Sequence, residues 1–286
     1  RCLGNSCKAF DFSRGLFTHE EFAMQRRTLA ALIPGAALTA AGVSVAKETK
    51  MTAPDLSVTD PDLVAIRERF LKKDVPAHTS ALTERERFLV QITTLTTLSE
   101  PLSLKRVVKE ALAAGVKPLE IREAVYQPFA YIGFAKVETG VLAMNEAFVE
   151  AGVKLPLESA TTVTDADRFE KGLTQQKTIF GPAIDTMHKN ATDDIRFLQV
   201  DALTGWCFGD TYTRKGLTLA EREHLTFVTI ATLGGCEPQL RAHTGGNRAM
   251  GATKQKLIDT IAAMAGYIGF PRTLNALAIV QEIYKA

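Results

Sequence analysis

Cys236 and His243 are the residues whose types and setting could carry chemistry, within the run Gly234-Gly235-Cys236-Glu237-Pro238-Gln239-Leu240-Arg241-Ala242-His243. Two glycines interrupt an apolar helical pattern there. Cys236 is therefore expected at the start of the next helix, with Glu237 and Pro238 in its first turn, where both are favoured. Backbone N–H groups at such a start favour a nucleophilic thiolate, while Glu237 opposes it. The other reading of Cys236 is a buried thiol packed as a small apolar side chain. His243 lies on the same helix face but about 10 Å further along the axis, so a direct contact between the two within one straight helix is excluded. Gln239, one turn before His243, could hydrogen-bond the ring and fix its tautomer. His243 is then a general acid/base at a pocket or an ordinary helix histidine, and the Gly-Gly break favours the first. On the preceding helix, Arg222 and Glu221 form a structural ion pair or turn one charge into that pocket. His224 is expected at the surface.

The elements that must hold this run are helical. Leu63, Ile66 and Phe70 open one helix, which breaks at Val75-Pro76-Ala77-His78, and Phe88, Leu89, Ile92, Leu95 and Leu98 line a second that starts at Thr83. A third runs from about Leu102 to Ala114 and stops at Gly115; a fourth opens at Pro118 and ends at Tyr131-Ile132-Gly133-Phe134; a last one reaches Glu150. Residues 153–164 are rich in Ser, Thr and Pro and form the expected linker. Helices then begin at Arg168 and at about Ile195, after which the earlier pattern returns. Leu82-Thr83 with Glu86-Arg87 recurs as Leu217-Thr218 with Glu221-Arg222, Gly115 as Gly251, and Tyr131-Ile132-Gly133-Phe134 as Tyr267-Ile268-Gly269-Phe270. The expectation is an all-α chain with two copies of one helical unit, at 60–152 and 165–286. Where the second copy has Cys236 and His243, the first has roughly Glu100 and Val107, so the first lacks the reactive set.

Composition narrows the partners. The chain has 286 residues, 46% of them apolar, with 34 basic and 32 acidic residues spread along it and no basic block with interleaved aromatics. That excludes nucleic acid as an expected partner. No His/Cys cluster has zinc spacing, and no metal is expected. Met24 to Ala46 reads as a secretory signal: a charged start with Arg26-Arg27, a short apolar stretch interrupted by Pro34 and Gly35, and a small-x-small end. The arginine pair also suits twin-arginine export. Residues 1–23 read as an upstream extension. The mature protein is then periplasmic or secreted, or cytoplasmic if the leader is not used, without a membrane-spanning anchor. Cys2 and Cys7 fall in this leader region, leaving Cys207 and Cys236, too few for a disulfide framework.

From Arg168 onward the sequence resembles the carboxymuconolactone decarboxylase family. The residues that carry this are Arg168-Phe169-Glu170-Lys171-Gly172-Leu173, Phe208-Gly209-Asp210, Arg214-Lys215-Gly216-Leu217, Arg222, Leu240-Arg241-Ala242-His243, and Tyr267-Ile268-Gly269-Phe270-Pro271 with Asn275-Ala276. The first unit resembles a weaker copy. The resemblance implies an alkylhydroperoxidase D-like helical fold, assembly into trimers or hexamers, a small-molecule substrate and no cofactor. Tandem duplication makes a trimer of chains the expected homo-oligomer. By resemblance, His243 would be the acid or donor of a decarboxylation and Arg222 would grip a carboxylate. The fold's thiol branch is similar in another way: Cys236 matches its first cysteine and His243 its histidine, but Gln239 replaces its second cysteine and His224 stands where its glutamate would. Three functions follow: a decarboxylase-like enzyme, a peroxidase using Cys236, or a ligand-binding homologue without catalysis.

Overall fold

The computed structural model describes residues 55–285, so the expected extension and signal segment, with Cys2 and Cys7, lie outside it. Among the described residues every regular element is helical. A short α1 (Leu56–Thr59) precedes α2 (Pro61–Arg69), wide π-type turns over Phe70–Asp74 and α3 (Val75–Ala77). The chain thus winds on through the expected break at Val75-Pro76, because Pro76 occupies the first turn of α3, where its missing N–H is no loss. The first copy continues with α4 (Glu84–Leu98), α5 (Pro101–Ala113), α6 (Pro118–Tyr126), α7 (Phe129–Ile132) and α8 (Phe134–Glu150). After an irregular stretch come α9 (Arg168–Phe180), α10 (Ala183–Asn190) and α11 (Asp193–Arg196), the last running into π-type turns over Phe197–Tyr212. Then follow α12 (Leu219–Leu233), α13 (Glu237–Ala249) and α14 (Lys254–Ile283).

The recurring sequence signals recur as structure. Thr83 and Thr218 each accept from the backbone N–H of the glutamate three residues on, and Glu86 and Glu221 each bond back to the threonine N–H. These reciprocal capping boxes satisfy donors that a helix start otherwise leaves open. Gly133 and Gly269 break their helices with nearly the same backbone, φ 82° and 72°, a left-handed region that suits glycine. The two copies do not have separate cores: Leu89, Ile92 and Leu104 of the first and Phe227, Leu257 and Ile261 of the second belong to one buried apolar cluster. Helix α4 packs on α12 and on α14, so each copy's central helix is covered by the other copy. Arg85 bridges the copies through Glu120 at 3.0 Å and Glu221 at 2.6 Å.

Helix α9 lies against the wide turns of Phe197–Tyr212, and this pair builds the outer wall over α12 and α13. Gly172 and Gly209 set the closeness: a Cβ at Gly172 would collide with Thr204 O and one at Gly209 with Arg168 O. Arg168 and Asp210 lock the crossing with an ion pair at 2.7 Å. The wall's inner face carries Ile179, Cys207, Phe208 and Tyr212, a second small buried cluster.

Candidate active site

His243 is buried on α13, its side chain 10% exposed, and its Nδ1 lies 2.8 Å from Glu223 Oε1. Glu223 projects from α12 and is fully buried. Its other oxygen accepts from the Tyr212 hydroxyl at 3.1 Å, so the carboxylate serves two donors. A buried carboxylate with a donor on each oxygen is a satisfied arrangement, since both oxygens taken from water keep a hydrogen bond. As an acceptor it requires Nδ1 to carry the hydrogen, which leaves Nε2 as the atom that can exchange a proton. Nε2 has no hydrogen-bond partner among the described residues.

Three further features fix this pair. Asn247 donates through Nδ2 to Glu223 O at 3.0 Å and His243 O at 2.8 Å, tying α13 to α12. Gly246 leaves room for the carboxylate: a Cβ there would collide with Glu223 Oε1 and come within 2.8 Å of Ile179 Cγ2. The imidazole is held edge-on by Tyr131 and Phe180, with ring centroids at 5.9 and 5.3 Å. Tyr131 comes from the first copy, so the site is not confined to the second.

From Glu223 a chain of hydroxyls runs inward. Tyr212 Oη lies 2.6 Å from Thr226 Oγ1 and 3.0 Å from Tyr131 Oη, and the Cys207 thiol donates to Tyr131 Oη at 3.7 Å. Burial pushes the Tyr131 and Tyr212 hydroxyls well above their ordinary values and the Cys207 thiol up to about 12, so all three keep their protons at neutral pH. Cys207 is therefore a poor nucleophile.

The structure places the other expected residues elsewhere. Arg222 is buried and does not offer its guanidinium to a substrate. It donates to Glu123 Oε2 at 3.1 Å, Gln127 Oε1 at 2.9 Å, and the carbonyls of Arg214 and Lys215 at 2.8 and 3.0 Å. The carboxylate grip expected of Arg222 is corrected to an internal ion pair with the first copy. Burial pushes the Glu123 carboxyl up, but Arg214 and Arg222 outweigh it and hold it below the usual carboxylate range. Glu221 is committed to the Thr218 cap and to Arg85. His224, expected at the surface, is buried, with Nε2 2.6 Å from Thr260 Oγ1. Burial, with Lys256 adding to it, pushes its pKa down to about 4, so the ring is neutral. Gln239 is exposed and makes no bond to His243, whose tautomer partner is Glu223. Cys236 is the N-cap residue of α13, as its spacing predicts, and makes no side-chain cap bond. It is a free thiol packed against the main core, whereas Cys207 belongs to the wall cluster. Among the described residues no group of His, Cys, Asp and Glu could hold a metal ion.

The residues missed in sequence are Glu223, Tyr131, Tyr212, Asn247 and Gly246. Glu223 left a trace: it is a carboxylate in register with Phe227 and Ile230 on a helix that is otherwise apolar or Thr-lined on that side.

The two copies thus form an all-helical tandem repeat with a buried Glu–His pair in the second. The chain belongs to the carboxymuconolactone decarboxylase family, whose sequence model matches residues 61–146 and 200–282, one segment in each copy. It is 25% identical over 124 residues to a 4-carboxymuconolactone decarboxylase of Acinetobacter baylyi, covering 43% of this chain and 91% of that protein. It is 26% identical over 117 residues to a nitrosuccinic acid decarboxylase of Metarhizium robertsii, covering 40% of this chain and 79% of that protein. An uncharacterised 15.0 kDa protein of Paracoccus denitrificans is 36% identical over 107 residues, 37% of this chain and 79% of its own length. The distant relatives with named activities are thus decarboxylases.

Proposed function

We propose that this chain is a cofactor-independent decarboxylase acting on a small carboxylated lactone or a related carboxylated compound, with His243 as its proton carrier. The observation that carries this is the His243–Glu223 pair with Nε2 left open. Loss of carbon dioxide leaves the electron pair of the broken C–C bond on the substrate, conjugated with its carbonyl. Collapse of that enolate needs one proton at carbon. A protonated His243 Nε2 supplies it and recovers a proton from solvent, while Glu223 holds the ring and balances its charge throughout. Tyr131 and Phe180, both edge-on to the imidazole, help to fix its orientation. The names of two relatives support the reaction class, and the exported location and trimer of chains expected from sequence are proposed with it.

The test follows loss of 4-carboxymuconolactone in one arm and consumption of an organic hydroperoxide with excess dithiol in another. Wild type runs beside His243→Ala and Cys236→Ser. Lactone turnover that falls about 10²–10⁴-fold in His243→Ala and survives in Cys236→Ser is expected. Peroxide turnover that disappears with Cys236→Ser would replace this reading with a thiol peroxidase.

A further inference from the structure

The first copy holds a cavity of about 340 Å³ at the place equivalent to the His243 centre. Val107 stands there for His243, Phe88 for Glu223, and Tyr267 of the second copy for Tyr131 of the first. This cavity therefore lacks the Glu–His pair of the second copy. It has not closed, and charged groups line it: the cations Lys72, Arg87 and Arg106 beside the carboxylates Glu84 and Glu110, one positive charge in excess.

Among the described residues neither guanidinium has a carboxylate partner. Arg87 donates only to Leu82 O, at 2.9 Å, and Arg106 makes no hydrogen bond. The third cation at the rim, Lys72, is by contrast neutralised by Glu68 at 2.9 Å and Glu110 at 3.2 Å. The reason Arg87 is uncommitted lies in the repeat. Its counterpart Arg222 is held by Glu123, whose own counterpart in the second copy is Asp259. Asp259 is turned away, accepting from Ala81 N–H at 2.7 Å and Gln255 Nε2 at 2.6 Å. The Tyr267 hydroxyl also has no hydrogen-bond partner among the described residues, and burial keeps it protonated by pushing its pKa up to about 12.

We propose that this cavity is a second, non-catalytic ligand site that takes a small carboxylate with a flat apolar body. Two forked guanidiniums match a carboxylate, the Tyr267 hydroxyl can donate to it, and Leu71, Phe88 and Val107 cover an apolar remainder. The volume falls in the range of small-molecule sites. Inorganic phosphate would satisfy the arginines and leave the apolar wall uncovered.

The experiment is calorimetric titration of the full chain with benzoate and, separately, with inorganic phosphate, on wild type, Arg106→Gln, Arg106→Lys and His243→Ala. Benzoate is expected to bind one site per chain, to weaken about tenfold or more in Arg106→Gln and less in Arg106→Lys, which keeps the charge without the fork. His243→Ala is expected to bind it as wild type does, and phosphate to bind more weakly than benzoate. Absence of benzoate binding, wild-type affinity in both Arg106 variants, or loss of binding in His243→Ala would each overturn the second site. Phosphate binding as tight as benzoate would overturn the apolar body. Should Arg106→Gln fail to fold, the Arg106→Lys titration decides by the same criterion.

Discussion

In the second copy Glu223 faces His243; at the same two places in the first, Phe88 faces Val107. Around that difference the copies share their caps, their glycine breaks and one core, and each lends the other a tyrosine, Tyr131 in one direction and Tyr267 in the other. The ion pairs differ in step with the sites. Glu123 answers Arg222 from across the repeat, while Asp259 leaves Arg87 to its cavity. One copy thus carries a buried Glu–His pair and the other a cavity with two arginines that no carboxylate among the described residues pairs, within one shared core.

The comparison breaks most visibly at the buried ion pair. Glu123→Ala leaves Arg222 uncompensated and is expected to cost about 3–5 kcal/mol in urea unfolding. Asp259→Ala removes only bonds from Ala81 and Gln255 and is expected to cost about 1.5–3 kcal/mol. Equal losses would mean that the two carboxylates do the same work.

The next effect is on pH dependence. His224 stays neutral when folded, with a pKa near 4, whereas the unfolded ring takes a proton at about 6.5. The unfolded chain therefore binds the extra proton, and stability that is complete above about pH 6.5 is lost as pH falls toward 4, by about 3 kcal/mol at most. Urea midpoints at pH 7.5 and 4.5 should draw closer together in His224→Leu than in wild type; an unchanged separation would show that His224 contributes nothing.

Smaller still is Gly246→Ala. Its methyl displaces Glu223 Oε1 and Ile179, and turnover is expected to fall about 10–100-fold with little change in KM, because misplacing a catalytic group costs rate more than binding. Wild-type kcat in this variant would show that the Glu223–His243 distance is not critical.

Much of this architecture was legible in the residues. Thr83 and Thr218 with their glutamates, Gly133 and Gly269, and Arg168 at the start of α9 all mark the elements seen, because capping and left-handed glycine are local chemistry. His243 could be singled out by its place after the Gly234-Gly235 break. Its partner could not: Glu223 and His224 are neighbours, and only the packing of α12 decides which of them meets α13. The grip of Arg222 on a carboxylate comes from the family resemblance, while the residues themselves leave a structural ion pair open with Glu221 as its partner; the actual partner, Glu123, lies 99 residues away in sequence. In sequence Tyr131 is part of a repeat signature, and its place beside the His243 ring depends on how the copies exchange tyrosines.

In the proposed decarboxylation His243 works because Glu223 holds it. This dependence is tested most directly by kcat for 4-carboxymuconolactone in Glu223→Gln, which keeps the shape and removes the charge. A fall of about 10–100-fold, with KM within a few-fold of wild type, is predicted. A Glu223→Gln enzyme that turns over at the wild-type rate would contradict the account.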